Sequence, residues 1–318
     1  MTTGYKWVAL IRAAMSAVVL LISGSVFAQL ENPQWESKLY SDHELVGILW
    51  DVKNASVIPT ENLLTELEGA DYLLLGEKHD NPDHHTLQLL VTDAILQSDK
   101  LFALSMEMMD STIQPKLDLI SDQDFGSLDD LKKYLEWDSD GWNWDFYSPL
   151  IQLAVNASVP IYAGNISRDA MRDVYAAEQP SPLQKIVGTQ VMNQLIKDID
   201  ASHCGLLPES QYPPMVAVQQ ARDSAMANSL PQPQLNRLSV LIAGNYHARQ
   251  DLGVPNYLLA RELNSGGEKI VSLAFMEVSE ELLSASDYVE GTAGVSAYDY
   301  IWFTPAISNE DYCAAMVK

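Results

Sequence analysis

YLLLGEKHDNPDHHTLQLLVTDAI, residues 72–95, is the stretch that decides the fold. Its first four residues are an unbroken apolar run closed by Gly76. Pro82 then opens a second pattern, in which Leu87, Leu90, Val91, Ala94 and Ile95 recur at helical spacing. A short apolar run ended by glycine reads as a buried parallel strand. Proline suits the first turn of a helix, where its missing N–H has no partner to lose. The stretch is therefore strand, polar loop, helix.

Outward from it the signature repeats, at residues 102–106, 159–163, 238–243 and 269–275. Residues 149–157 read as a helix feeding the strand at Val159. Strands alternating with helices predict an α/β fold, a mainly parallel sheet with helices on both faces. Between about 170 and 236 no strand pattern appears. Residues 171–177, 184–199 and 215–230 read as helices, broken by Ser181-Pro182 and by residues 203–214. This segment is expected to be a helical subdomain inserted into a single domain spanning residues 29–318. The tail from Ser284 is irregular, apart from an aromatic strand-like piece at 298–303.

The amino terminus predicts export. Lys6 and Arg12 precede an apolar, small-residue stretch at 13–26, and Val26-Phe27-Ala28 places small residues where a signal peptidase reads them. Residues 1–28 are thus expected to be a cleaved signal peptide, with the protein in the periplasm or secreted. No cysteine follows the run, so no lipid anchor is expected. Removing these residues takes two of 19 bases and none of 43 acids, leaving 17 against 43 and a formal charge of −26. Such a surface repels phosphate backbones, and nucleic acid is not an expected partner. Two cysteines without CxxC spacing exclude thiolate zinc and iron–sulfur sites.

The residues just past each strand carry the chemistry. After Leu75 come Gly76, Glu77, Lys78, His79, Asp80, Asn81, Pro82, Asp83, His84 and His85. Glu107 follows Met106, and Gly164-Asn165, with Arg168 beyond, follows Ala163. After Ala243 come Gly244, Asn245, Tyr246, His247, Ala248 and Arg249. Ligands of open parallel sheets bind outside the carboxyl ends of the strands, so four segments deliver ionisable groups to one edge. Glu77 and His79, two apart, project to one side of an extended chain. His84 and His85 begin a helix, so at most one of them faces the crevice. Glu107 is placed to ligate, to orient a histidine, or to pair with Arg168 or Arg249. As a set, Glu77, His79, Glu107 and His247 suit a divalent metal with open positions for water. No GxSxG, GxGxxG or GxxxxGK[ST] motif is present, which removes the commonest serine-hydrolase, dinucleotide and triphosphate readings. Trp137, Trp142, Trp144, Phe146 and Tyr147 form an aromatic cluster, either a wall for an apolar ligand or core beneath a loop.

In order along the chain, LLLGEKHDNPDHHTLQLL, SMEMMDSTIQPKLD, YSPLIQLA, HCGLLPE, QQARDSAMA, LIAGNYHARQDLGVP and YDYIWFTPAISNEDYCA resemble the ChaN-type haem-binding uptake family, from about residue 44 onward. The resemblance implies a three-layer fold with a helical subdomain and a haem-binding protein outside the cytoplasm that serves bacterial haem and iron acquisition. A homodimer is implied as well. The family's haem ligand is a tyrosine, for which Tyr212 is the first candidate and His203 the second, with Arg222 and Arg168 as partners for the propionates. Cys204 and Cys313 both lie in family motifs and are expected to form a disulfide. The same resemblance supplies an alternative. The related Tiki and TraB-type proteins carry a metalloprotease-type centre of two GxxH motifs and a glutamate. Gly76-Glu77-Lys78-His79, Gly244-Asn245-Tyr246-His247 and Glu107 match it. That reading makes the chain a metal-dependent hydrolase, with a metal-bound water as nucleophile and Glu77, His79, Glu107 and His247 at the centre. A scaffold binding neither haem nor metal is the third and plainest reading.

Overall fold

The computed structural model describes residues 33–178, 181–233, 236–262, 267 and 269–316. The predicted leader at 1–28 lies outside the described residues. In chain order the strands are β1 (Leu49–Asp51), β2 (Ser56–Ile58), β3 (Tyr72–Glu77), β4 (Leu101–Asp110), β5 (Ile161–Asn165), β6 (Leu238–Gly244) and β7 (Ile270–Glu277), then β8 (Gly291–Thr292), β9 (Val295–Ser296) and β10 (Tyr300–Thr304). Eight of them form one sheet in the order β2-β1-β10-β7-β3-β6-β4-β5, and β8 and β9 pair separately. From β10 through β5 every neighbouring pair is parallel, while β1 runs antiparallel to both β10 and β2.

All five apolar runs are strands of this sheet, and most continue past the last apolar residue. β3 extends to Glu77 and β6 to Gly244, because ladder pairing persists there: Gly76 faces Ala243, and Glu77 faces Gly244. The site residues therefore begin inside the sheet. β1 and the edge strand β2, at three residues each, are too short to leave a clear strand pattern.

Side chains alternate between two cores. Leu73, Leu75, Leu104, Met106, Val240 and Ile242 pack on one face against helix α1 (Pro82–Gln97) and helix α2 (Trp144–Asn156). Tyr72, Leu74, Leu241 and Ala243 pack on the other against the carboxyl end of a later helix and Val254, Tyr257 and Leu258. Each buried leucine contributes ~1.5–3 kcal/mol relative to exposure, so Leu87, Val91, Ala94 and Ile95 bind α1 firmly to its face. The result is a three-layer α/β sandwich.

Three further helices, α3 (Arg168–Ala176), α4 (Thr189–Ser202) and α5 (Tyr212–Ser229), fill the strand-free segment, and α6 (Val254–Glu262) follows β6. Val216 of α5 packs with Val191 and Leu195 of α4, while Met226 and Ala227 of α5 reach the sheet. α5 starts at Tyr212, ahead of the expected 215, because Pro213 and Pro214 fill a first turn that needs no N–H donors. Past α4, Cys204 and Gly205 both adopt positive φ and turn the chain. A disulfide then joins Cys204 to Cys313, 109 residues away, with Cα atoms 5.4 Å apart. Among the described residues no helix is long and apolar enough to cross a membrane.

β3 and β6 are adjacent, yet the chain leaves β3 into α1 on one face and leaves β6 toward α6 on the other. Diverging connections open a crevice at the carboxyl ends of these two strands, the topological switch point where α/β proteins bind ligands.

Candidate functional site at the switch point

Two glycines shape the floor of that crevice. A Cβ on Gly76 would lie 2.5 Å from Asn245 Oδ1 and 3.1 Å from its Cα, so the turn after β6 folds directly onto β3. A Cβ on Gly244 would come within 2.9 Å of Cε1 and Nε2 of His79. Glycine at both positions lets backbone and imidazole approach closely.

Glu77, at the end of β3, is fully buried. Its Oε1 accepts from the Tyr147 hydroxyl at 2.6 Å and lies 2.8 Å from His79 Nδ1. His85 Nδ1 stands 2.9 Å from Oε2, although neither atom achieves hydrogen-bond geometry. Burial pushes the Glu77 carboxyl up, but the charge of His85 and the contacts from both histidines prevail and hold it down at about 2. The same carboxylate, with burial, pushes the Tyr147 phenol well up and keeps it a donor. His79 has a side chain 43% exposed. Burial pulls its pKa down, yet the Glu77 hydrogen bond and the Glu107 charge outweigh that and raise it.

Glu107 on β4 is also fully buried. Its Oε1 accepts from Arg222 Nη2 at 2.5 Å and its Oε2 from the Gly244 N–H at 2.7 Å. Burial raises this carboxyl, and the opposing charges of His247, Arg222 and His79 together bring it below its usual range. Arg222 reaches it from α5 and also donates through Nε to Asn165 Oδ1 at 3.3 Å. His247, on the single turn Asn245–Ala248, is held from behind: Nδ1 lies 2.5 Å from Asp223 Oδ1 and 3.1 Å from Gln219 Nε2. Burial lifts the Asp223 carboxyl above its usual range despite the adjacent His247. The Nε2 atoms of His79 and His247 both point toward Glu107 Oε1, at 4.0 and 3.5 Å. Glu77, Lys78, His79, Glu107, Trp142, Arg222, Gly244, Asn245, Tyr246 and His247 line an open cleft with about 690 Å³ of space.

The four residues singled out by motif, Glu77, His79, Glu107 and His247, therefore meet in one pocket. Glu107 pairs with Arg222; the two arginines foreseen as its partners go elsewhere. Arg168 is exposed and held by Asp138 at 2.6 Å, and Arg249 is bound to Asp251. Neither His84 nor His85 lines the cleft. His84 accepts from the Lys78 N–H at 2.8 Å and meets Thr304 Oγ1 at 2.9 Å, and complete burial drives its pKa down to about 3. His85 stacks on Phe146 and donates through Nε2 to the His79 carbonyl at 3.0 Å. Of the aromatic cluster, Trp142 lines the cleft, edge-on to His79 at 4.9 Å, while Trp144 and Tyr147 are core. Sequence reasoning missed Asp223 as a site residue, and placed Tyr147 in the aromatic cluster without foreseeing its bond to Glu77. Asp223 had a readable signal, an acid on the same helical face as Gln220, Met226 and Ala227, where only a partnered charge belongs.

Among the described residues no group of three or more His, Cys, Asp or Glu side chains is arranged to hold a metal ion. The physical obstacle is Arg222, whose guanidinium occupies the side of Glu107 toward which both imidazoles point.

Tyr212 and His203 lie away from this pocket, at the far end of the helical segment. The Tyr212 hydroxyl donates to Asp200 Oδ1 at 2.7 Å, and that bond is the main cause of its raised pKa. His203 follows α4 directly, and its Nδ1 donates to the Ile199 carbonyl at 2.7 Å. Beside Tyr212 in sequence, Pro213, Pro214 and Ala217 line a second cleft of about 690 Å³ with Val174, Tyr175 and Pro182.

Fold and site together define a three-layer α/β protein with a histidine–carboxylate centre, built on buried acids and open to a cleft, at its switch point. The chain belongs to the haem-binding uptake family of the Tiki superfamily, ChaN, whose sequence profile matches residues 63–258. It is similar to the ChaN of Campylobacter jejuni, solved with cofacially bound haem. The two share 26% identity with a TM-score of 0.65, over 80% of this chain and 95% of that one. A succinoglycan biosynthesis protein (13% identity, TM-score 0.41, 82% of this chain and 76% of that one) and a Bacillus cereus protein (11%, 0.40, 80% and 75%) overlay more loosely and carry no functional weight. No curated protein matches the chain.

Proposed function

We propose that this protein binds haem outside the cytoplasm and serves bacterial haem and iron acquisition. Family membership and the likeness to a haem-binding ChaN support the cofactor. The observation on the chain itself is the end of the helical segment, which carries two iron-ligating side chain types, His203 and Tyr212, the latter directly preceding Pro213 and Pro214 of a partly apolar cleft. The His203 Nδ1 proton is held by the Ile199 carbonyl, which leaves Nε2 as the lone pair, the arrangement that ligating histidines adopt. Tyr212 must lose its proton to ligate, so the Asp200 bond that holds the phenol protonated has to break as the oxygen meets the iron. Val174, Tyr175, Pro213 and Pro214 suit the porphyrin face. Both arginines are ion-paired, but Arg222 is held by the buried Glu107, whereas Arg168 pairs with Asp138 at the surface and is the better placed of the two for a propionate. Bound haem would supply an iron centre to carry; the residues here hold and orient it. A homodimer pairing two such faces and a cleaved leader at 1–28 complete the reading.

The experiment is haem titration of residues 29–318 by absorption. A saturable Soret band is expected, weakened at least tenfold in Tyr212→Phe or His203→Ala and lost in the double variant. A double variant binding like the unaltered protein would overturn the ligand assignment, and no Soret band at all would overturn the function.

The metal-hydrolase alternative has one observation in its favour: His79 and His247 are each held at Nδ1 by a carboxylate, as ligating imidazoles are. Arg222 stands against it. A second cation at Glu107 would sit beside a guanidinium already in contact.

A further inference from the structure

Past Ile307 the described tail is fastened chiefly by one covalent bond. None of its described residues belongs to a hydrophobic core. Its hydrogen bonds are local, from the Glu310 N–H to Ser308 Oγ and from the Cys313 and Ala314 N–H groups to Asp311. The one that reaches outward runs from Asn309 to the Tyr40 hydroxyl at 3.4 Å. The helix Tyr312–Met316 has five residues, far below the ~12–15 at which an isolated helix is marginal. The Cys204–Cys313 bridge is what ties it to the turn after α4.

We propose, on the footing of the haem-binding reading, that this disulfide is a redox latch. Closed, it keeps Tyr312 against the edge of a haem held at His203; a dithiol reductant opens it and speeds haem loss. His203 directly precedes Cys204, and Tyr312 directly precedes Cys313. With the bridged Cα atoms 5.4 Å apart, the Cα atoms of His203 and Tyr312 are held within about 13 Å of each other. One porphyrin spans that gap. Tyr312 is 60% exposed and Leu206, two residues past Cys204, 58%. Two large apolar side chains flanking the bridge thus stand in water, and a flat apolar ligand at His203 covers them. A phenol ring at the haem edge also keeps water from the iron–imidazole bond. Cys204 is held at φ 58°, which non-glycine residues rarely adopt, so cutting the bridge frees the turn that carries His203 as well.

Both cysteines are partly exposed, within reach of a small reductant. One thiolate of the dithiol bonds to a sulfur of the bridge as the S–S bond breaks. Its second thiol then displaces the mixed disulfide. The dithiol leaves as a cyclic disulfide, and Cys204 and Cys313 each end as a thiol, having gained two electrons and two protons between them. With one long hydrogen bond left to hold it, the tail leaves the site.

The test uses residues 29–318 loaded with ferric haem, with loss followed by transfer to excess apomyoglobin. One sample is oxidised. A second is reduced with dithiothreitol, alkylated with iodoacetamide and freed of reductant before haem is added, which keeps the iron ferric. Loss at least tenfold faster is expected from the reduced sample and from the Cys204→Ser/Cys313→Ser double variant. Tyr312→Ala, with the bridge intact, should lose haem at least threefold faster than the unaltered protein. Equal rates from the oxidised and reduced samples would overturn the latch. So would Tyr312→Ala holding haem as long as the unaltered protein, a result readable even where the serine variant fails to fold. An oxidised protein with no Soret band would overturn the haem reading itself, and the latch with it.

Discussion

Arg222 is the residue on which the chemistry of the pocket depends. Glu107 and Asp223 are both buried beside it, and removing one partner of a buried pair typically costs ~3–5 kcal/mol because a charge is left uncompensated. Arg222→Met should therefore lower thermal stability by about that amount. Melting curves of the variant and the unaltered protein read the difference. Proton linkage belongs at this scale as well. Glu77 has its pKa lowered from 4.5 to about 2, so its charge stabilises the fold fully above pH 4.5 and that contribution is lost as pH falls toward 2. His84 is lowered from 6.5 to about 3, so below pH 6.5 the unfolded chain takes up a proton that the buried ring refuses. Both effects make stability fall on acidification, beginning near pH 6.5. His79 is shifted the other way and offsets part of this at low pH. Urea midpoints measured from pH 7 to 3 should decline throughout, with the upper limb flattened in His84→Gln. A level profile would contradict the assignment.

At the scale of elements, α1 is the support of the site. Its first turn is polar and buried. Asn81 caps it by accepting from the Asp83 and His84 N–H groups and also donates to Glu277 Oε1 at 2.8 Å. Asp83 in turn accepts from the N–H groups of Glu36 and Ser37 at 2.7 and 3.0 Å, so the segment preceding β1 is strapped across the loop that carries His79. Asp83→Ala leaves two backbone donors unanswered at ~1–3 kcal/mol each, softened where water reaches them. Hydrogen exchange should then quicken at residues 36–40 and in the 77–81 loop, with the core of β3 unchanged. The helical pattern of α1 was plain in its apolar spacing. The destinations of His84 and His85 were not, since a helix start fixes where a side chain leaves the backbone but not which neighbour it meets.

For the whole molecule, the cross-link between Cys204 and Cys313 ties the turn after α4 to the short helix Tyr312–Met316. A closed loop of 109 residues lies toward the upper end of the ~0–5 kcal/mol range for disulfides. Reduction should lower the melting temperature and raise exchange at Tyr312–Met316 and around His203. Unchanged melting under reductant would show that the contacts of the tail suffice alone. The same turn bears His203, so haem titration under reductant reports how far the ligand's position depends on the cross-link.

Residues 72–95 and four similar apolar runs were enough to establish a parallel α/β sheet, because burial on both faces demands continuous apolar strands and the helical spacing between them is equally plain. They also brought Glu77, His79, Glu107 and His247 to one edge, since strand ends share an edge whatever the strand order. Strand order itself, the short antiparallel strands β1 and β2, and the partners Arg222, Asp223 and Tyr147 came only with the tertiary structure. Those three reach the site from α5 and α2, elements distant in sequence, and whether a buried acid meets an imidazole, a guanidinium or an ion depends on distances of a few tenths of an ångström that no spacing along the chain encodes.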